Sequence, residues 1–327
     1  MNRFWRLMGA SSRRLLSGVL LLVGASFVIY ATVRAAPGDA IDAISPPGTD
    51  PEIKAKLAAE FGLDRDIVSG YGHWLLRSTS GDFGQSLVFE TGAEVLDVVL
   101  PAFGRTLLLS VLALLACLTV ALVWAIIAGQ PGPIGRGITS LLYVITAAPS
   151  FIAAFFFAQI TNYLVFTHRI QEGFDPPAWY PLFWETEGKS LMPYVFAGGV
   201  LMVADGMLMD TFNAVRAELL RLQGSQFIAA VRAKGAGTVR HIARNLIVPL
   251  VSAYAARLPL ILSGAVIVER IFALNGAGYV LFESAKFRDF PVVVAVSVCF
   301  TVTIIVVNVI ADLVRAAVDP REAAHGG

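Results

Sequence analysis

Six long apolar runs divide this chain. Four carry no charged side chain: Leu15–Val33, Thr106–Gly129, Gly137–Thr167 and Phe290–Ala311. The other two are broken only by Asp205 and Asp210 (Ser190–Phe212) and by Arg257 (Leu246–Val268). About 20 apolar residues at 1.5 Å each cross a hydrocarbon layer of roughly 30 Å, and a helix is the form that satisfies its own backbone there. Composition agrees: 56% of the 327 residues are hydrophobic and 15% charged, where soluble domains carry about 25% charge; the mean hydropathy is +0.70. The expected fold is an all-α integral membrane protein of six transmembrane helices. Gly137–Thr167 is too long for one straight span and contains Pro149, so a kink or an extension beyond the bilayer is expected. Ser12-Arg13-Arg14 before the first run faintly matches an export signal, but 19 uncharged residues are enough to span, so an uncleaved first helix is expected.

Lysine and arginine set the orientation. With the N-terminus inside, the inner segments hold 13 basic and four acidic residues, the outer ones 11 basic and 18 acidic. Basic residues favour the cytoplasmic side, so N-in, C-in is expected. The segment after the first helix, 37–102, is then an extracytoplasmic subdomain. Asp50-Pro51-Glu52 opens a helix in it, with proline first and acids at the positive end, and the run Phe61-Gly62-Leu63-Asp64-Arg65 ends that helix.

Between the fourth and fifth runs lies a polar loop, 213–245, with six basic residues (Arg216, Arg221, Arg232, Lys234, Arg240, Arg244) and one acid, Glu218. Within it, Gln226 to Gly235 reads as a short helix stopped by glycine. A positive-inside loop explains the charge. It does not explain the apolar residues Phe227, Ile228 and Val231 beside Arg232 and Lys234. An apolar knob with a basic rim suits a partner surface, and Gly235 permits a sharp exit.

A series of short motifs accompanies this loop: Ala36-Pro37-Gly38-Asp39, Phe61-Gly62-Leu63-Asp64-Arg65, Gly81-Asp82-Phe83-Gly84-Gln85-Ser86, Ala148-Pro149-Ser150-Phe151, Val231-Arg232-Ala233-Lys234-Gly235, Gly264 through Phe272, Asn275-Gly276-Ala277-Gly278, Arg288-Asp289-Phe290-Pro291 and Val318-Asp319-Pro320-Arg321. In this order the chain resembles the permease subunits of ATP-binding-cassette importers for dipeptides, oligopeptides or nickel. The resemblance implies a bacterial inner-membrane protein that forms half of a translocation path. It implies a second homologous permease subunit, two ATP-binding subunits carrying ATP and Mg, and an extracytoplasmic solute-binding protein. Phe227, Ile228, Val231, Arg232, Lys234 and Gly235 become the ATPase-coupling residues. Glu269, Asn275 and Gly276 become candidates for contact with the binding protein, with anchoring the favoured role for Glu269 and a positive-φ turn expected at Asn275-Gly276. Dipeptides or oligopeptides are the favoured substrate class; nickel, opine and oligosaccharide importers use similar permeases. Two departures stand out. The stretch from Gly235 to Pro249 is about one helical turn short, and Asp205 and Asp210 fall where neutral or basic residues are expected.

Charges inside a membrane face a bundle interior or a water-filled path. Asp205 lies 11 residues before Arg216, and Arg257 lies 13 after Arg244, so both reach a similar depth from the cytoplasmic side. They are expected to pair, to line the translocation path, or to meet a partner subunit; Asp210 is expected nearer water. No catalytic or metal-binding constellation is present. Gly188-Lys189-Ser190 copies the tail of a phosphate-binding loop, but Phe183 stands where its first glycine belongs. The four histidines are isolated and both cysteines, Cys117 and Cys299, fall in apolar runs, which excludes a disulfide framework and suggests no metal. The chain is therefore expected to be no enzyme, to bind no cofactor itself and to bind no nucleic acid. The competing class is a secondary transporter or channel, which an inverted repeat would favour; none is visible. The expected domains are 1–36 (cytoplasmic N-terminus and first helix), 37–102 (extracytoplasmic subdomain), 103–319 (permease core, with the coupling loop 213–245) and 320–327 (cytoplasmic tail).

Overall fold

A computed structural model describes residues 2–35, 41, 45, 48–60, 64–128, 132–149, 151–160, 163, 192–203, 206–235, 237–272 and 274–318. Their regular structure is helical: α1 (Asn2–Ala35), α2 (Pro51–Glu60), α3 (Ile67–Thr79), α4 (Val95–Ala128), α5 (Pro133–Thr146), α6 (Phe151–Ile160), α7 (Met192–Val203), α8 (Met207–Gln223), α9 (Gln226–Ala233), α10 (Val239–Ile271), α11 (Ala277–Lys286) and α12 (Phe290–Val318). Four stretches are long and apolar enough to cross a membrane: Ser17–Ala35, Val95–Ile127, His241–Ile271 and Phe290–Arg315. Two bent pairs bring the total to six if each is one span.

The bends have identifiable causes. Gly135–Thr146 and Phe151–Ile160 meet at 89°, the kink expected at Pro149, where proline lacks an N–H and disfavours helix in the residue before it. The Pro149 carbonyl instead accepts from Ile152 and Ala153 N–H at 3.1 and 3.0 Å, starting the new helix. The fourth apolar run differs from the single helix expected. Tyr194–Val203 and Met207–Leu222 are bent by 64°, because Gly206 adopts φ +74, a left-handed conformation that ends right-handed propagation. The Asp205-Gly206 dipeptide is a turn signal hidden inside an apolar run.

The chain divides into two compact units, Met1–Thr106 with Asn275–Ile305, and Leu107–Leu274 with Val306–Gly327. The first unit takes in α1, α2, α3 and residues 275–305. Val95, Val98, Val99 and Ala102 repeat at i, i+3, i+4, i+7 along α4 and form one core with Ala277 and Val280 of α11 and Val292, Ala295 and Val296 of α12. In the same unit α3 packs on α1. Tyr71 Oη donates to the Val23 carbonyl at 2.9 Å and lies 2.9 Å from Ser26 Oγ. The helix expected to open at Asp50-Pro51-Glu52 is present as α2, with Asp50 Oδ1 accepting from Glu52 N–H at 2.9 Å. Helix α3 escaped the sequence reading. Its N-cap is Asp66, which accepts from Val68 and Ser69 N–H at 3.2 and 3.1 Å. The Ser69 contacts and these amide donors hold the Asp66 carboxyl below its ordinary range.

In the second unit, Leu109, Ala113, Cys117, Ala121 and Ala125 recur every four residues on α4 and are all buried. The small side chains let neighbouring helices approach closely, the mode of packing that serves where lipid removes the hydrophobic drive. Leu109 and Ala113 meet Ala197, Val200 and Leu201 of α7 and Ala265 and Val268 of α10. Cys117, Ala121 and Ala125 meet Leu142 of α5 and Met207, Leu208, Phe212 and Val215 of α8. Cys117 is thus a core residue, its Sγ 3.4 Å from Thr211 Oγ1.

Candidate functional site

Three groups of residues carry the functional expectations. The first is the α8–α9 hairpin. Most of the segment 213–245 is helical rather than loop: α8 runs on to Gln223 and α10 begins at Val239. Glu218 is nearly buried and forms a two-pronged ion pair with Arg221, at 2.7 and 2.5 Å, which stiffens the last turn of α8. A glutamate three residues before an arginine on a helix was the available signal, and the charge count alone concealed it.

Gly224 ends α8, and Ser225 caps α9 by accepting from Ile228 N–H at 3.3 Å. Lys234 closes α9, and Gly235 follows at φ +69 with its N–H 2.9 Å from the Arg232 carbonyl. The left-handed exit is the one anticipated for Gly235. Helix α9 packs on α8. Ile228 is fully buried, which corrects its expected place on an apolar knob: at the first turn of so short a helix it anchors α9 to its own chain. Val231 is half-buried, and Arg232 and Lys234 are exposed. The Phe227 side chain lies outside the described residues.

The second group is the ion pair in the second unit. Arg257 sits near the middle of the His241–Ile271 span, and its Nη2 pairs with Asp210 Oδ2 in the first turn of α8. Asp210, expected nearer water, is 45% exposed and also bridges two helices. Asp205, the partner anticipated for Arg257, lies outside the described residues. Arg257 and Asp210 keep side-chain exposures of 33% and 45%, so the pair is not sealed in the packed core. Tyr254, one turn before Arg257, packs on the cluster around Cys117 and Phe212.

The third group is the end of α10 and the start of α11. Glu269 is 1% exposed, which supports its anchoring role and corrects its place among binding-protein contacts. Asn275 is exposed, and its carbonyl accepts from Arg105 at 2.8 Å. Gly276 has φ −86 and ψ 178, so the expected positive-φ turn is absent there. Gly276 is the extended N-cap of α11, and Thr106 Oγ1 accepts from Ala277 N–H at 2.8 Å in place of a side-chain cap.

One further site emerged only in the structure. Asp289 is fully buried; its Oδ2 accepts from Ser86 Oγ at 2.6 Å and from the Val88 and Phe89 N–H groups at 3.0 and 2.9 Å. Arg288 before it holds φ +63, a strained value for a residue with a Cβ. Among the described residues no group of three or more His, Cys, Asp or Glu is placed to hold a metal ion.

The family described as "Binding-protein-dependent transport system inner membrane component" matches residues 121–323. The chain is similar to the oligopeptide transport system permease protein AppB of Bacillus subtilis, 27% identical over 318 residues that cover 94% of this chain and 97% of the relative. It is similar to a putative peptide permease protein of Brucella ovis, 27% identical over 333 residues, 94% and 97% covered. It is also similar to the glutathione transport system permease protein GsiC of Shigella flexneri, 26% identical over 316 residues, 94% and 96% covered.

Proposed function

Because the chain belongs to the family of binding-protein-dependent transport system inner membrane components, we propose that it is the permease subunit of an ATP-driven importer of dipeptides or oligopeptides. The peptide class follows the printed names of the relatives, which are oligopeptide, peptide and glutathione permeases. A permease of this family is a multi-pass inner-membrane protein that works with ATPase and binding-protein partners. Our reading adds a stoichiometry of one second permease subunit, two ATP-binding subunits and one solute-binding protein. ATP and Mg belong to the ATPases, and this chain supplies a path and no catalysis.

The observation that carries the coupling role is α9 itself. It is a short helix, capped by Ser225, anchored by buried Ile228 and released through Gly235, with Arg232 and Lys234 facing outward. Such a lever moves as one piece with α8, and its basic rim suits an acidic groove on an ATPase. Phe227 joins this face in the proposal. When ATP closes the ATPases, the pull on α9 passes through α8 to the Gly206 break and to the Asp210–Arg257 pair, which we place on the translocation path together with Asp205. In the N-in, C-in orientation α9 is cytoplasmic, and 37–102 with Asn275 faces the binding protein, while buried Gly276 holds the turn that presents Asn275.

Affinity purification of the tagged chain from native membranes tests this reading. A second permease and an ATPase co-purify, and Arg232→Glu with Lys234→Glu lowers recovery of the ATPase while this chain remains folded and keeps the second permease. Recovery of this chain alone in a transport-active form would overturn it.

A further inference from the structure

The first unit holds a cavity of 570 Å³. Its volume falls in the roughly 300–1,000 Å³ range of small-molecule sites. It lies between the C-terminal end of α1, helix α3, the 80–96 segment and the start of α12. Its walls are aromatic: the Tyr30 and Trp74 rings are 6.1 Å apart, and Trp74 meets Phe83 edge-on at 6.0 Å.

The charges on this cavity are not all spent on one another. Arg77 is neutralised by Asp82 at 2.6 Å. The Arg34 guanidinium donates to the Arg65 carbonyl at 2.9 Å and so fixes the segment that carries Arg65. Among the described residues the Arg65 guanidinium and the Glu94 carboxylate have no ion-pair partner, yet both line the same cavity, and both are exposed. Two unspent charges of opposite sign around an aromatic-walled cavity form a complementary mould. Arg65 matches an oxyanion in two-pronged fashion, Glu94 matches a protonated amine, and the packed rings offer a face to an apolar group.

We propose that this cavity binds a small zwitterion, a ligand with a free amine, a free oxyanion and an apolar part. A short peptide with free ends has this chemistry, and so does the headgroup of an aminophospholipid at the end of α1.

The test uses the full chain in nanodiscs of phosphatidylglycerol, titrated calorimetrically with alanyl-phenylalanine. This dipeptide serves as probe because it carries both free ends, whatever solute the pathway carries. Saturable binding is expected, weakened about tenfold by Arg65→Gln and by Glu94→Gln. The N-acetylated dipeptide should lose sensitivity to Glu94→Gln, and the C-amidated one should lose sensitivity to Arg65→Gln. Melting curves of the two variants, both at solvated positions, check that the fold persists.

A parallel arm uses nanodiscs of phosphatidylethanolamine. Loss of dipeptide binding there, with lipid retained in native mass spectra only when Arg65 and Glu94 are present, assigns the same site to the headgroup. Binding of neither probe, or binding indifferent to both substitutions, overturns the proposal.

Discussion

Ser86 Oγ donates to the carboxylate of Asp289 at 2.6 Å, joining positions 203 residues apart in one buried contact. Two backbone amides share the same oxygen, Val88 and Phe89, and Ser86 Oγ in turn accepts from Glu90 N–H at 2.9 Å. The carboxylate therefore organises the whole 86–90 turn from the far side of the chain.

Asp289→Ala leaves three donors without an acceptor in a buried place. Hydrogen bonds to a charged group contribute about 1.5–3 kcal/mol each, and orphaned buried donors cost a similar amount. Thermal or denaturant melting of the purified protein should show a loss of about 4 kcal/mol or more, with protease cleavage opening in residues 81–94. Asp289→Asn, which keeps one acceptor oxygen, should lose less.

Both partners lie in motifs that carried the family resemblance, Gly81 to Ser86 and Arg288 to Pro291. Nothing in either motif alone says that they meet. An acid beside the last apolar run looks like a solvated flank, and only the fold reveals it as a buried acceptor. Local signals read better. The Asp50-Pro51-Glu52 helix start, the Pro149 bend and the Gly235 exit each rest on backbone chemistry within a few residues, and each is present. The split of the fourth run was obscured because its apolar character outweighed one Asp-Gly turn signal. Burial at Ile228 was likewise out of reach, since periodicity in an eight-residue helix does not say which face meets its own chain.

Gly235→Ala should cost about 1–2 kcal/mol, because a Cβ at φ +69 is strained even though no neighbouring atom lies in its way. Gly235→Asn should be milder, since asparagine tolerates the left-handed region. ATP-driven uptake should fall in the same order, alanine below asparagine below the natural protein. Equal activity in all three would separate the exit geometry from coupling.

The hairpin separates anchor from contact surface. Ile228→Ala removes a fully buried side chain and should destabilise by about 2–5 kcal/mol. Arg232→Glu alters an exposed residue and should leave the melting temperature within a degree or two, while association with the ATPase falls. Measuring both variants by melting and by co-purification distinguishes the two roles.

Arg257→Ala and Asp210→Ala each leave one charge of the pair uncompensated within a span. An unpartnered charge at mid-bilayer costs about 2.5 kcal/mol or more, so each single variant should accumulate poorly in membranes. The exchange Asp210→Arg with Arg257→Asp should recover most of the lost level. No recovery would mean that one of the two charges has a separate duty, such as contact with solute.

Acid should loosen the segment around α3. Asp82 is held below the ordinary carboxylate value of 3.8 by its bond to the Arg77 side chain and by the Gly84 amide. Asp66 is held below it by Ser69 and by the amides that it caps. A carboxylate with a depressed folded value contributes stability that is complete above its unfolded value and is lost as pH falls through the folded one. Protection of the amides over residues 66–84, measured against the intrinsic exchange rate at each pH, should therefore fall below about pH 4. Asp66→Asn and Asp82→Asn should each flatten that dependence.

The most direct test of the account is uptake of a labelled dipeptide into proteoliposomes holding the co-purified assembly, with the solute-binding protein supplied. The account predicts uptake that requires ATP and the ATPase subunits, and that collapses when Arg232 and Lys234 of α9 are both changed to glutamate in a chain that still assembles with the second permease. Uptake by this chain alone, driven by an ion gradient and indifferent to ATP, would contradict it.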